Sequence, residues 1–308
     1  MPLAIKMKNL AFNENALPTR EGWGESPITP ELIRQIYRPR RPDTHKGDYG
    51  RALLVAGSRG MMGAALLSAR ACMRGGVGLL TVRVPHCGYE IMQLGIPEAK
   101  CDCDADDGHH SRIEVPRDTE VIGIGPGLGQ HPDTHEALRD LLGQWHGPMV
   151  LDADALNILA QHREWLDLVP EGAILTPHVG EMKRLGDEPQ ALAEKNRVVV
   201  VVKSHQTRVF CPDGRCLINT ERGNAGMAVG GSGDVLTGII TALRAQRYAA
   251  VEAAILGVWV HALAGDLALA DNQSMESLLP SDIIAHLGKA FNELAIDSIA
   301  RKNTIIEK

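Results

Sequence analysis

Five consecutive valines, Val198 to Val202, end in Lys203. A strand with one wet face alternates polar and apolar residues, because successive side chains point to opposite sides. Five β-branched apolar residues in a row leave no wet face, so this segment is expected to be a strand buried on both sides. Strands of that kind belong to mostly parallel sheets covered by helices. Further apolar runs repeat the theme: ALLVAG (52–57), GLLTVRV (78–84), VIGIG (121–125), MVLDAD (149–154) and AILTP (173–177). Residues 62–74 and 135–142 have helical composition. RVFCPDGRCLIN (208–219) reads as an antiparallel hairpin with Asp213-Gly214 at its turn. The last third reads as helical. The pattern predicts an α/β chain with a mostly parallel central sheet, helices on both faces and no internal repeat.

The ends and the bulk composition bound the rest. Pro18, Gly22, Gly24 and Pro27 interrupt any pattern near the start, so residues 1–28 are expected to be an extension and 29–308 the α/β domain. Pro30 opens a short helix, ELIRQIY, with Thr29 as its N-cap. The run at 251–270 is long and apolar, yet carries Glu252, His261 and Asp266 and much alanine; it reads as a buried core helix in preference to a membrane span. A formal net charge of -6 leaves no basic surplus for nucleic-acid binding. Six cysteines (Cys72, Cys87, Cys101, Cys103, Cys211 and Cys216) show no CxxC spacing, and residues 1–20 lack the apolar stretch of a signal peptide. Reduced thiols in a soluble cytoplasmic protein follow as the expectation, with neither membrane nor nucleic acid as partner.

In a parallel α/β sheet, ligands bind beyond the carboxyl ends of the strands. Four apolar runs end in AGS, GPGLG, DADALN and TPHVGE, which would all face one crevice. After them comes GNAGMAVGGSGD (223–234), five glycines ahead of the apolar helix VLTGIITAL. Bare backbone N–H groups and the positive end of a helix make a phosphate cradle, with Asp234 beside the bound phosphate. Asp234 could instead serve only as an N-cap, but a cap needs no such run of glycines. No GxxxxGK[ST] loop occurs, and GIGPGLG (123–129) does not fit the dinucleotide fingerprint GxGxxG. That segment suits either a close approach to a ligand or a tight turn. TPHVGE could place His178 in the crevice or merely start a helix with Glu181 in its first turn. LDADALN (151–157) could hold Mg²⁺ through water or cap a helix. Lys46 in HKGDYG is a candidate phosphate contact. CDCDADDGHH (101–110) reads as a charged loop and matches no zinc spacing.

Taken in order, HKGDYGRALLVAGSRGMMGAAL, GIGPGLG, LDADALN, ILTPHVGEMKRL, VVVKSHQT and GNAGMAVGGSGDVLTG resemble the ADP/ATP-dependent NAD(P)H-hydrate dehydratases. The resemblance runs from about His45 to the C-terminus. It implies a ribokinase-like fold and a homo-oligomer, a tetramer. It implies that Ala64, Gly127, His178 and Asp234 contact the hydrated substrate. Lys203, Ser204, His205, Gln206, Thr207 and Gly233 would contact the nucleotide. Two departures stand out: the stretch between Glu181 and Arg197 is short, and His205 replaces a small or amide residue. The bifunctional members add an N-terminal epimerase domain that residues 1–44 are too few to form, so a separate epimerase is the expected partner.

The activity so implied is metabolite repair. NADHX and NADPHX, the hydrates of NADH and NADPH, carry a hydroxyl beside the ring nitrogen. ADP or ATP, with Mg²⁺, would phosphorylate it, and the nitrogen lone pair would then expel phosphate. Asp234 would act as the general base on the hydroxyl of the S epimer. A small-molecule kinase of the same fold, acting on a vitamin-precursor alcohol, would share the glycine loop but leave phosphate on its product. A non-catalytic nucleotide sensor would keep the glycines and not need Asp234.

Overall fold

The computed structural model describes residues 24–271 and 273–306, with side chains through residue 296. Ten strands form one sheet. In chain order they are β1 (Glu25–Pro27), β2 (Arg51–Val55), β3 (Leu79–Val84), β4 (Lys100–Cys103), β5 (Val121–Ile124), β6 (Met149–Leu151), β7 (Ile174–Leu175), β8 (Val199–Val202), β9 (Arg208–Phe210) and β10 (Cys216–Ile218). Their order across the sheet is β1-β10-β9-β8-β7-β6-β5-β2-β3-β4. Every neighbouring pair is parallel except the two that β9 makes, with β8 and β10, so β9 alone runs against the rest.

The valine run behaves as its composition requires. Val199 and Val201 pack into one core, while Val198 and Val200 pack into another on the opposite face of the sheet. The first core takes helices α1 (Pro30–Ile36), α8 (Ser232–Ala245), α9 (Ala250–Ala270) and α10 (Pro280–Ile306). The second takes α4 (Pro132–Gln144), α5 (Ala153–Gln161), α6 (Val179–Leu185) and α7 (Pro189–Asn196). A third cluster forms under α2 (Met62–Arg74) and α3 (Tyr89–Gly95). Thr29 caps α1 by accepting from the Leu32 N–H, as the sequence predicts. Among the described helices α9 is the one long and apolar enough to cross a membrane, and most of it is buried in the core of the domain.

Three expectations are corrected. Residues 25–27, assigned to the irregular extension, form a short edge strand on β10, with Ile28 fully buried beside them; residues 1–23 of that extension lie outside the described residues. The charged loop at 101–110 begins as a strand: Lys100–Cys103 pairs with β3, and buried Asp104 then binds Arg83 and the backbone N–H groups of Ser111 and Arg112. Arg83, itself buried on β3, needs those carboxylates, which is why so charged a segment is ordered. Lys46 lies in a short 3-10 turn immediately before β2. It is therefore at the amino end of the sheet, away from the carboxyl-end crevice, and is no phosphate contact there. The short stretch after Glu181 holds two helices, α6 and α7, separated at Gly186, whose φ of +78° ends α6 in a left-handed cap.

Candidate active site

Beyond the carboxyl ends of β6, β7 and β8 lies a cavity of about 800 Å³. Its floor is a charge cluster assembled from distant parts of the chain. Asp152, 1% exposed, ends β6. One of its oxygens accepts from Lys203 Nζ at 2.6 Å and the other from Thr237 Oγ1 at 2.6 Å. Glu181 Oε2 lies 3.9 Å from the same ammonium. One cation thus faces several carboxylates.

Asp234 completes this cluster. It sits in the first turn of α8, whose cap residue is Gly231 at φ +96°, so Asp234 is not the N-cap. Burial first, and the neighbouring Asp152 carboxylate second, push its carboxyl up to about 7, against the pull of Lys203. A carboxyl poised there can take a proton near neutral pH, which a free aspartate does poorly. At Gly233 a Cβ would press on Lys203 Nζ at 3.1 Å and meet Asp152 Oδ2 at 3.8 Å, so only the charge cluster itself adjoins this backbone. Gly231, Ser232, Gly233 and Asp234 at the start of α8 line the cavity, where the positive end of the helix can meet an anion.

His178 serves two of the roles read from TPHVGE. Its Nδ1 accepts from the N–H groups of Gly180 and Glu181, capping α6, while the half-exposed ring lines the cavity. Lys203, Ser204, His205 and Thr207 also line it. Gln206 does not; its carbonyl accepts from Ser204 Oγ and its N–H donates back to that oxygen. Ala64 and Gly127 adjoin each other, since a Cβ on Gly127 would lie 3.0 Å from that of Ala64, but neither lines the cavity. The nearby Gly129 is tied to the 152–154 turn, its N–H donating to Asp154 at 2.9 Å.

Several lining residues carried no sequence signal. His261 on α9 places Nε2 3.2 Å from Ser232 Oγ, and burial holds its imidazole down at about 4, neutral at physiological pH. Asn219, 4% exposed, lies on the cavity wall with a buried Oδ1 that has no partner and an Nδ2 that donates to the Arg222 carbonyl. Thr237 does not line the cavity; fully buried one helical turn beyond Asp234, it meets Asp152, 85 residues away in sequence, as only the fold shows.

Comparison with known proteins places this arrangement. Residues 52–288 match the family model for NAD(P)H-hydrate dehydratase. The bifunctional NAD(P)H-hydrate repair enzyme of Thermofilum pendens is 37% identical over 289 residues, covering 87% of this chain and 55% of that protein. The chain spans about half the length of such bifunctional relatives. The ADP-dependent (S)-NAD(P)H-hydrate dehydratase of Staphylococcus aureus is 34% identical over 280 residues, covering 87% of this chain and 98% of that protein. Among solved structures, the ADP/ATP-dependent NAD(P)H-hydrate dehydratase of Bacillus subtilis, co-crystallised with ATP and Mg²⁺, superposes with a TM-score of 0.77 at 29% identity, covering 88% of this chain and 99% of that one. The fold is the ribokinase-like one.

Proposed function

The chain belongs to the NAD(P)H-hydrate dehydratase family, and from that premise we propose that it uses ADP or ATP to dehydrate the S epimers of NADHX and NADPHX. The observation that carries this reading is Asp234: a buried carboxyl pushed up to about 7, at the start of a helix behind a glycine loop, in a cavity of about 800 Å³. Asp234 accepts the proton of the substrate hydroxyl as that oxygen attacks the terminal phosphoryl group. The bond to the leaving nucleotide breaks, the ring nitrogen lone pair then expels phosphate to leave an iminium ion, and loss of a proton from the neighbouring ring carbon to water restores the carbon–carbon double bond. The N–H groups at the start of α8 stabilise the charge on the transferring group. Lys203, held between Asp152 and Glu181, lies beside Gly233 and is placed to meet phosphate oxygens.

The donor set also fits Mg²⁺. Asp152, Asp154 and Glu181 all raise the Asp234 carboxyl with only Lys203 opposing them, an excess of negative charge that a hard cation relieves. Asp152, Asp154 and Glu181 would hold the ion, and bound there Mg²⁺ would neutralise charge developing on the phosphoryl oxygens. The nucleotide contacts are Lys203 to Thr207 and Gly233, and the hydrate contacts are Ala64, Gly127 and His178. The protein acts in the cytoplasm as a homo-oligomer, a tetramer, alongside a separate epimerase that converts R hydrate to S.

The deciding experiment supplies NADHX with ADP or ATP and Mg²⁺ and follows the NADH absorbance band together with inorganic phosphate. Equal molar release of NADH and phosphate is expected. A phosphorylated product without free phosphate would make the protein a kinase. From a mixed hydrate, the S epimer should vanish at the enzymatic rate and the R epimer only as it epimerises.

A further inference from the structure

Outside the cavity, the loop after β4 and the first turn of α4 bring His109, His131 and Asp133 together, with ligating atoms all within 4.8 Å of one another. The His109 ring is held between two carboxylates: Nδ1 is 2.8 Å from Asp106 Oδ1, and Nε2 is 3.1 Å from Asp133 Oδ2. His131 Nδ1 is 3.8 Å from that same Asp133 oxygen, and its ring stacks on His109 with centroids 3.6 Å apart. Asp106 is itself fixed, accepting from the N–H groups of Gly108 and His109.

This arrangement favours positive charge at His109, between the Asp106 and Asp133 carboxylates. If His109 donates Nδ1–H to Asp106, its Nε2 lone pair points at an Asp133 oxygen 3.1 Å away, and two lone pairs at that distance repel. A proton on Nε2 would relieve that contact and leave His131 as the cap of α4, its Nδ1 accepting the Asp133 N–H at 3.2 Å; a metal ion would relieve it and draw His131 in as well. A metal ion engages all three groups. A carboxylate behind the far nitrogen of a ligating histidine is also the usual orienting device at metal centres, and Asp106 occupies that place. Two imidazoles and one carboxylate suit a borderline divalent ion of the zinc type in preference to Mg²⁺. Tetrahedral coordination at about 2.0–2.2 Å needs ligand atoms roughly 3.3–3.6 Å apart. The exposed His131 and Asp133 side chains have about an ångström to close, and His131 must also turn out of its stack on His109 and release the Asp133 N–H to present a ring nitrogen.

We propose that His109, His131 and Asp133 form a binding site for a divalent transition cation, with Asp106 orienting His109 and water in the fourth position. The site ties the 104–112 loop to α4. That loop already grips the segment leading to Ala64: the Gly108 carbonyl accepts from the Arg59 N–H at 2.8 Å, and His110 Nε2 lies 3.0 Å from the Gly57 carbonyl. A bound cation therefore braces the substrate side of the crevice from outside without entering it.

The test uses the whole chain, stripped by a chelator and then titrated with Zn²⁺ by calorimetry and with Co²⁺ for its visible absorption. One equivalent should bind, give the bands of tetrahedral Co²⁺ and raise the melting temperature. His131→Asn keeps a capping acceptor for α4, and Asp133→Asn changes one exposed group. Each should weaken Zn²⁺ binding at least about tenfold while the apo melting temperature stays near wild type. Binding by both variants as tight as by wild type overturns the proposal, as does wild type that takes up no Zn²⁺. Loss of binding in Cys101→Ser/Cys103→Ser, with His131→Asn unaffected, would also overturn it by moving the ion to the thiol pair 3.8 Å apart on β4.

Discussion

Two glycine-rich loops flank the crevice, and they are glycine-rich for opposite reasons. In the loop at 125–129, the protein itself fills the space. A Cβ on Gly125, at φ +128°, would lie 1.8 Å from the Asp152 carbonyl oxygen, and one on Gly127 would lie 2.8 Å from that of Met61. In the loop at 230–233, a Cβ on Gly230 would meet nothing within 4 Å, and one on Gly233 only Lys203 and Asp152 side chains. The first loop uses glycine to close the fold around the 152–154 turn. The second needs glycine at Gly231, where φ is +96° and a Cβ would lie 2.6 Å from Leu67, but at Gly233 it leaves backbone at the cavity that only charged side chains adjoin. The open loop marks where a ligand goes; the filled one fixes the carboxylates that await it.

The contrast can be broken by substitution. Gly125→Ala forces a side chain into backbone at a φ that L-residues rarely adopt, and should cost about 3–5 kcal/mol of stability. Chemical denaturation reads this out, and a midpoint near wild type would mean that the first loop is not filled as described.

The carboxylates held by that loop should leave a pH signature. The Asp234 carboxyl rises from an ordinary 3.8 to about 7 on folding. Its protonated form is thus favoured by the fold: the stability it contributes is fully present below about pH 4, falls as pH rises and is gone above about 7. In wild type this slope should amount to on the order of 2 kcal/mol, the solvent-filled cavity softening the full shift. Asp234→Asn should lack it. Parallel stability–pH curves for the two proteins would show that Asp234 does not feel its neighbours.

On the open side, Gly233→Val should weaken ADP and ATP binding at least about tenfold, by blocking backbone approach, while changing stability by less than about 1 kcal/mol. Unchanged affinity in calorimetry would remove the phosphate cradle. The smallest effect is expected at Thr237→Val, which keeps the shape but takes a hydrogen bond from buried Asp152. It should cost about 1 kcal/mol, and a larger loss of turnover than of stability would show that Asp152 must be held still for the reaction.

Much of the frame was legible in the sequence because it is local. The valine run implied two buried faces and has them, α2 spans residues 62–74 as its composition suggested, and the Asp213-Gly214 hairpin turns where expected. The glycine loop and Asp234 were legible for the same reason, as a contiguous motif. Misread segments failed on information that no short window holds. Lys46 looked like a phosphate contact because a sequence does not say at which end of the sheet a loop lies. Lys100–Cys103 looked like loop because its polar residues gain their partner, Arg83, only across the sheet. The clamp on Asp152 joins residues 51 and 85 positions away, so its parts were visible and its geometry was not.

The central claim is that Asp234 is the base of a nucleotide-driven dehydration. Its most direct test is Asp234→Asn assayed with the S hydrate of NADH, saturating ADP or ATP and Mg²⁺, beside nucleotide affinity measured on the same preparation. Nucleotide binding should survive within a few-fold, turnover should fall by about 10²–10⁴, and wild-type kcat/KM should drop as pH falls below about 7. Turnover near wild type in the asparagine variant, with NADH and phosphate still released together, would contradict the account.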